Sequence, residues 1–159
     1  MHMHTDRKEP GGASGKGRPR TSKHKEGVLT ILRTADSISR MLTVVLEPYD
    51  ITLQQFNVLR ILRGSGAPIP TMVISERMIE ATPGITRLLD RLEQKGLVAR
   101  SRHTADRRQV LCKITEAGLK LLEDVDRPII ECERQIMRAL ATSELSHLIT
   151  LLNKVRSPL

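Results

Sequence analysis

Apolar residues recur along most of this chain with the three- and four-residue spacing of helices that bury one face. The first run comprises Val28, Ile31, Leu32, Ala35, Ile38, Leu42, Val45 and Leu46. Pro48 ends this predicted helix because proline cannot continue the hydrogen-bond ladder. A second helix is predicted to begin at Thr52, since Gln55 three residues later completes a capping-box pair. The glycines and prolines of residues 63–70 predict a loop, and residues 71–78 a short helix.

The segment ATPGITRLLDRLEQKGLVAR predicts a fourth helix with marked ends. Thr82 is expected to cap it, and Pro83 suits its first position, where the missing N–H costs nothing. Gly96 is expected to adopt the left-handed conformation that closes a helix. Beyond it, residues 97–102 and 109–114 alternate in polarity and predict two short strands around a basic loop.

Two long helices are predicted to complete the chain. Thr115 is expected to cap a helix that runs to Arg138, within which Pro128 favours a bend, and the last helix covers residues 142–155. The predicted order is two helices, a short helix, a further helix and a two-stranded hairpin. This is the order of elements in a winged helix-turn-helix. The sequence therefore predicts a mostly α fold with a small β-hairpin wing.

Composition and charge indicate how the core is filled and what kind of partner the chain binds. Of the 159 residues, 39% are hydrophobic but only 1% aromatic, so Leu, Ile, Val and Met must fill the core. The formal net charge is +8. Residues 1–25 carry seven Lys or Arg against two Asp or Glu, and residues 77–113 carry nine against four. A basic island on an otherwise nearly neutral domain predicts a polyanionic partner, of which nucleic acid is the commonest.

The N-terminal residues 1–25 lack apolar periodicity and are predicted to form a disordered basic tail. Their KGRPR segment is like the core of an AT-hook, although a solvated tail that adds non-specific affinity is the favoured interpretation. No run of 18 apolar residues and no secretory signal is seen, and two cysteines fit a reducing compartment. We therefore expect a cytoplasmic protein.

Residues that carry catalytic chemistry are not grouped in the sequence. There is no Ser/His/Asp grouping, CxxC motif or glycine-rich phosphate loop, so neither an enzyme, a cofactor nor a metal site is predicted. Cys112 alternates with apolar strand residues and is expected to be a buried, inert thiol. Cys132 lies in a charged helix and is expected to be partly exposed, which leaves a redox role open as the minor alternative.

Candidate nucleic-acid contacts lie on the fourth helix. Its apolar residues share one face, which turns Pro83 and Arg87 outward and places Thr86, Asp90 and Arg91 at the flanks. The buried set is Ile85, Leu88, Leu89 and Leu92. Gly84 permits close approach, the helix N-terminus attracts phosphate, and an arginine here reaches a base edge or a phosphate. The alternative is an ordinary surface helix with solvated charges.

The hairpin loop in SRHTADRRQVLCKIT favours DNA over that alternative. Arg107 is placed to enter a minor groove, whose narrow slot concentrates negative potential. Asp106 offers a carboxylate that orients a guanidinium or loop N–H groups. Arg100 and Arg102 line the approach to this loop.

The segments TPGITRLLDRLEQKGLVAR, ADRR and KITEAGLKLL resemble the MarR family of bacterial transcription regulators, over about residues 28–156. The resemblance implies one domain at 26–159. Within it, residues 26–47 and 115–159 would be dimerisation helices, and residues 52–114 a winged helix-turn-helix DNA-binding lobe. The family's usual Asn/Pro-type wing residues are replaced here by RHTA.

By this resemblance, Thr86 and Arg87 contact DNA from the recognition helix and Arg107 contacts it from the wing. Asp90 and Arg108 correspond to the pair that ties recognition helix to wing. The full set of candidate DNA-binding residues is Thr82, Pro83, Gly84, Thr86, Arg87, Arg91, Arg107 and Arg108. The candidate wing-bracing residues are Asp90 and Asp106.

The resemblance also implies partners and a mechanism. A homodimer would bind a palindromic operator in double-stranded DNA and act as a repressor released by a small aromatic or phenolic effector. The effector would bind between the dimer helices and the DNA-binding lobe, against aliphatic and Met side chains of the first, second and fifth helices. The alternative is an architectural, nucleoid-type DNA-binding protein without a ligand switch.

Overall fold

The computed structural model of the chain describes residues 22–79, 83–102 and 108–157. This part contains six α-helices, a single 3₁₀ turn and three short strands. In chain order they are α1 (Lys23–Leu46), the 3₁₀ turn (Glu47–Tyr49), α2 (Leu53–Ser65), β1 (Ile69–Pro70), α3 (Thr71–Arg77), α4 (Ile85–Gln94), β2 (Val98–Arg102), β3 (Val110–Ile114), α5 (Glu116–Met137) and α6 (Thr142–Arg156). The mostly helical fold with a small sheet is therefore confirmed.

Helix α1 begins earlier than its apolar pattern predicts. Ser22 caps it, with its Oγ accepting the N–H of Lys25 at 3.2 Å. The predicted boundary of the N-terminal tail at residue 25 is therefore wrong by three residues, because a polar cap starts the helix before its apolar stripe begins. The KGRPR segment lies outside the described residues.

The capping box predicted for α2 is confirmed. The N–H of Gln55 donates to Thr52 Oγ1 at 3.2 Å, and the N–H of Thr52 donates to Gln55 Oε1 at 3.0 Å. The loop predicted for residues 63–70 is wrong at both ends. Helix α2 continues to Ser65, and Ile69–Pro70 forms strand β1. Two residues are too few to show an alternating pattern, and proline is tolerated there because β1 is an edge strand.

The three strands form one antiparallel sheet in the order β1-β3-β2. Strands β2 and β3 make the predicted hairpin, with Val98 opposite Ile114 and Arg102 opposite Val110. Each is one residue shorter than predicted. The inward side chains of this hairpin, Val98, Cys112 and Ile114, are buried in the core.

The core fills with aliphatic side chains, as the composition requires. The largest fully buried residues include Leu46, Leu59, Ile74, Leu89, Leu92 and Leu122, while Phe56 is the buried aromatic residue of the described part. Helix α5 contributes to this core and contains Pro128. Helix α6 has no buried residue. None of the described helices is both long and apolar enough to cross a membrane.

Helix α4 begins at Ile85, so the predicted start at Thr82 and Pro83 is wrong. Gly84 precedes the helix with φ of 88°, a left-handed conformation that an α-helix cannot include, and Pro83 lies in the turn before it. Thr82 itself lies outside the described residues. The predicted end is confirmed. Gly96 has φ of 68°, and the N–H groups of Gly96 and Leu97 donate to the carbonyls of Glu93 and Leu92 in a Schellman motif.

The end of α4 and the start of α5 meet at one backbone junction. The Thr115 N–H donates to the Leu97 carbonyl at 3.1 Å, and Thr115 Oγ1 donates to the Gly96 carbonyl at 2.6 Å. The same hydroxyl oxygen accepts the Gly118 N–H at 3.1 Å, which confirms the predicted cap. A Cβ at position 118 would overlap the Leu97 carbonyl oxygen and lie 2.7 Å from Ile114 Cγ1. Only glycine allows this approach.

We expect Gly118→Ala to destabilise the chain by about 1–3 kcal/mol, because backbone atoms must shift to admit the methyl group. Urea unfolding followed by circular dichroism measures the change. The matched control is Gly27→Ala in α1, where an added Cβ meets nothing within 4 Å. That variant should be neutral or gain up to about 1 kcal/mol from helix propensity. Equal midpoints for the two variants would show that the junction is not tight.

Candidate nucleic-acid interface

Helix α4 separates a buried face from an exposed one. Its apolar residues Leu88, Leu89 and Leu92 are 8%, 1% and 0% exposed, which confirms the predicted inner face. Thr86, Arg87 and Arg91 are exposed on the rest of the surface. The helix therefore presents a hydroxyl and two guanidinium groups to solvent while its opposite side is anchored in the core.

An exposed turn precedes the N-terminal end of α4. Pro83 and Gly84 form this turn, and the residue at the capping position makes no side-chain hydrogen bond because it is glycine. The first N–H groups of a helix carry partial positive charge and lack intrahelical acceptors, so they attract an anion such as a phosphate. This end lies next to Thr86 and Arg87, which places cationic and neutral donors together.

The predicted wing contacts are only partly within the described residues. Arg107 and Asp106 lie outside them, so their roles stay predictions. Arg108 is exposed just before strand β3, and Arg102 is exposed at the end of β2. The two strands thus carry exposed basic residues at the end of the hairpin from which the loop leaves.

Arg100 ties the wing to α4. Its Nε and Nη2 donate to Glu93 Oε2 at 2.8 and 2.5 Å, and Nη2 lies 2.6 Å from Asp90 Oδ1. The Arg100 side chain is 24% exposed. The hydrogen bond from Arg100 holds the pKa of Glu93 below its ordinary value, and the bond to Glu93 in turn raises the pKa of Arg100. One guanidinium therefore bridges two carboxylates one helical turn apart.

This bridge was not found from the sequence, which suggested only that Arg100 lines the approach to the wing. The Schellman turn at Gly96 reverses the chain, so that β2 runs back beside the last turn of α4 and brings position 100 to positions 90 and 93. The bracing role predicted for Asp90 thus gains a partner in Arg100. Pairing of Asp90 with Arg108 stays a prediction.

Further polar contacts join the lobe to its surroundings. Arg63 on α2 donates to both carboxylate oxygens of Asp126 on α5, at 2.7 and 3.0 Å. The Tyr49 hydroxyl donates to the Asp124 carbonyl at 3.2 Å. Lys95, at the end of α4, pairs with Asp50 through both its backbone and side-chain oxygens. These contacts attach both ends of the helix-turn-helix to the rest of the chain.

A cavity of about 290 Å³ lies between α1, α2 and the end of α3. Apolar side chains from α1 and α2 line it together with Met78 and Ile79. It lies between the first helix and the lobe, and the expected effector site stays a prediction. The α5 residues expected at the effector site do not line this cavity, whose wall is completed by Met78 and Ile79 after α3.

The two cysteines lie where the sequence suggested. Cys112 is fully buried, and burial raises the pKa of its thiol, while Thr71 Oγ1 lies 3.7 Å from its sulfur. A buried thiol with a raised pKa forms little thiolate and is unreactive. Cys132 is half-buried on α5. Nothing in its described surroundings adds to the redox alternative.

Comparison with known proteins identifies the family. The family model described as "MarR family" matches residues 51–110, which span α2 to the start of β3. The HTH-type transcriptional regulator PecS of Dickeya dadantii is 34% identical over 133 residues, covering 82% of this chain and 80% of the relative. The chain belongs to the MarR family.

Two solved structures share most of this architecture. A cysteine-to-serine mutant of MarR from E. coli, complexed with operator DNA, superposes with a TM-score of 0.75 at 29% identity, covering 85% of this chain and 99% of that chain. NadR in complex with 4-hydroxyphenylacetate superposes with a TM-score of 0.70 at 27% identity, covering 87% and 97%. The MarR fold therefore extends over the long helices as well as the matched lobe.

We expect Arg100→Ala to raise the pKa of Glu93 toward its ordinary value, because the cation that favours the carboxylate is removed. A ¹³C NMR titration of the Glu93 carboxyl measures this. The lowered pKa also means that Glu93 stabilises the folded chain above its unfolded pKa, and that this contribution is lost as the pH falls through the folded pKa. Arg102→Ala, which removes the same charge from the same strand, should leave the Glu93 titration unchanged. Identical titrations in both variants and the parent would disprove the bridge.

Proposed function

We propose that this MarR-family chain is a sequence-specific DNA-binding transcriptional regulator that works as a homodimer and represses until a small effector binds. The observation that carries the proposal is the exposed face of α4, which offers Thr86, Arg87 and Arg91 from a helix fixed in the core. The operator complex of E. coli MarR, with the same fold, supports it. DNA as the target also supports a cytoplasmic location.

On DNA, α4 enters the major groove. The open N-terminal turn at Pro83 and Gly84 approaches a phosphate, and Arg87 reaches a base edge or the backbone. Arg91, one turn further along, adds a backbone contact. The wing arginines Arg107 and Arg108 contact the neighbouring minor groove, where A·T-rich DNA is narrow and most negative. Phosphate contacts of this kind position the helix, and base contacts select the sequence.

The long helices form the dimer. Large apolar side chains remain exposed on them in the single chain, including Val28 (58%), Leu32 (61%) and Val44 (63%) on α1 and Ile149 (53%) and Val155 (53%) on α6. An apolar surface of this extent marks an interface. A two-fold axis between these helices would also place two α4 helices one turn of DNA apart, about 34–36 Å, which suits a palindromic operator.

The effector acts through the spacing of the two lobes. Arg63 on α2 bonds to Asp126 on α5, and Lys95 after α4 bonds to Asp50 in the connection between α1 and α2, so each lobe contacts its long helix α5 and the end of the α1 segment. A ligand that binds the DNA-free arrangement of the dimer more tightly than the DNA-bound one lowers the affinity for the operator. Each 1.4 kcal/mol of difference in ligand binding between the two arrangements lowers it about tenfold. NadR, crystallised with 4-hydroxyphenylacetate, supports ligand control of a chain with this fold.

Arg87→Ala and Arg107→Ala should impair DNA binding in different ways. If Arg87 reads a base, its loss costs about 1–3 kcal/mol and relaxes preference at one position of the site. Loss of Arg107 should weaken binding to many sequences and reduce the salt slope by roughly one unit, since a minor-groove arginine neutralises phosphate charge. Binding isotherms over a salt series, on a site selected from random DNA and on its single-base variants, separate the two.

Arg127→Ala is the matched control for these variants, because it removes one positive charge from α5, outside the lobe. It should bind the selected site like the parent. An Arg107→Ala variant with unchanged affinity and salt slope would contradict the wing contact. Length-dependent coating of DNA without any selected site would instead support the architectural alternative.

Leu152→Glu should produce a monomer or an unfolded chain, because Leu152 lies in the apolar stripe of α6 together with Leu148. A dimeric regulator then loses operator binding as well. Analytical ultracentrifugation at micromolar concentration measures the assembly. Thr150→Glu adds the same charge to the opposite side of α6 and should stay dimeric. A stable monomeric parent at this concentration would contradict the dimer.

A further inference from the structure

The cavity between α1, α2 and the end of α3 has a mostly apolar wall. Ala35, Ile38 and Leu42 come from α1, Leu53 from α2, and Met78 and Ile79 follow α3. No lysine, arginine, histidine, aspartate or glutamate is among the described residues that line it. Its volume of about 290 Å³ is at the lower end of the range for small-molecule sites. The space therefore suits one small organic molecule.

We propose that this cavity binds an uncharged, largely apolar effector and discriminates against carboxylates of the same shape. An ionised carboxylate that enters an apolar cavity loses its hydration and finds no cation to replace it, which is costly. The described wall offers no such cation. Its polar groups are the neutral side chains of Ser39, Gln54 and Asn57, so hydrogen bonding without charge is the recognition that remains.

Asn57 offers a polar group at which a neutral ligand can form a hydrogen bond. The residue is 9% exposed, and its side-chain hydrogen bond runs from Nδ2 to the Met78 sulfur at 3.7 Å. A thioether sulfur is a weak acceptor. Within the described part of the chain, no residue donates to the Asn57 carboxamide oxygen. No buried side-chain nitrogen or oxygen of the described residues lacks a hydrogen-bond partner, so this oxygen is accessible to solvent. It is a strong acceptor that a ligand hydroxyl or amide can reach.

The same contact involves the segment that leads from α3 toward α4, the proposed DNA-reading helix. Met78 follows the last residue of α3, and Ile79 lies in the connection toward α4 with 78% of its surface exposed. A ligand that takes the Asn57 amide competes with the Met78 sulfur for it. Occupation of the cavity therefore acts on the chain between α3 and α4, in addition to any change of spacing between the lobes.

This inference rests on the proposed function only for its consequence at DNA, because binding in the cavity can be measured on the free protein. Isothermal titration calorimetry at neutral pH, without DNA, compares probes that differ in charge and little in shape. The pairs are 4-hydroxyphenylacetamide with 4-hydroxyphenylacetate, and benzyl alcohol with benzoate. We expect the neutral member of at least one pair to bind at least about tenfold more tightly than the anion.

Substitutions at Ala35 locate the binding and test its charge rule. Ala35 lines the cavity and is exposed in the single chain. It lies on the same face of α1 as Leu32, which is proposed to form the dimer, so sedimentation first establishes that each variant remains dimeric. Ala35→Trp should fill the cavity and abolish binding of the neutral probe. Ala35→Arg should supply the missing cation and improve binding of the carboxylate at least about tenfold. The control variants are Ala117→Trp and Ala117→Arg, at an exposed alanine of α5 that does not line the cavity.

The possible outcomes are distinguishable. Tighter binding of the carboxylates by the parent, equal binding of both members of each pair, or no binding of either neutral probe at millimolar concentration would overturn the proposal. So would an Ala35→Trp variant that binds the neutral probe like Ala117→Trp. Failure of the proposed function has a different signature, since random-sequence selection would then recover no operator whatever the calorimetry shows.

Discussion

The Leu97 carbonyl oxygen accepts the N–H of Thr115 and lies where any side chain at position 118 would have to go. At this point the end of α4, the start of β2, the end of β3 and the first turn of α5 come together. A helix whose end is held by backbone hydrogen bonds on one side and by a close glycine contact on the other cannot rotate without breaking both. The orientation of α4, the proposed DNA-reading helix, relative to the long helix α5 is therefore set by backbone geometry.

The ion pairs around this junction have a different task. Arg63 and Asp126 are 37% and 40% exposed, and Asp50 beside Lys95 is 95% exposed, so solvent screens most of their attraction. Pairs of this kind contribute little to stability. The aliphatic core supplies the free energy of folding, and the pairs, the Arg100 bridge included, select among arrangements that the core alone would tolerate. Such selection suits a protein that must hold two helices at a defined separation.

Local signals predicted much of this structure. The capping box at Thr52 and the left-handed Gly96 involve residues within one turn of each other, so the sequence alone indicates them. The predicted start of α4 is wrong because Pro83 favours a first helical position, whereas Gly84 adopts a left-handed conformation that a helix cannot include. The helix therefore begins after Gly84. Strand β1, the Arg100 bridge and the Asn57–Met78 contact depend on residues that only the tertiary fold brings together. The outward face of α4 follows from helical periodicity, whereas the wing contacts are predicted from the charge of the hairpin loop and from a resemblance.

Helix α6 forms in the single chain without burying any of its residues. In the proposed dimer its apolar stripe is covered only after two newly made chains meet. Assembly is then second order in the number of chains, so at low expression a cell that halves synthesis retains about a quarter of the finished regulator. The response of the controlled promoter to the regulator's own dosage is correspondingly steep, although each subunit carries a single reading helix.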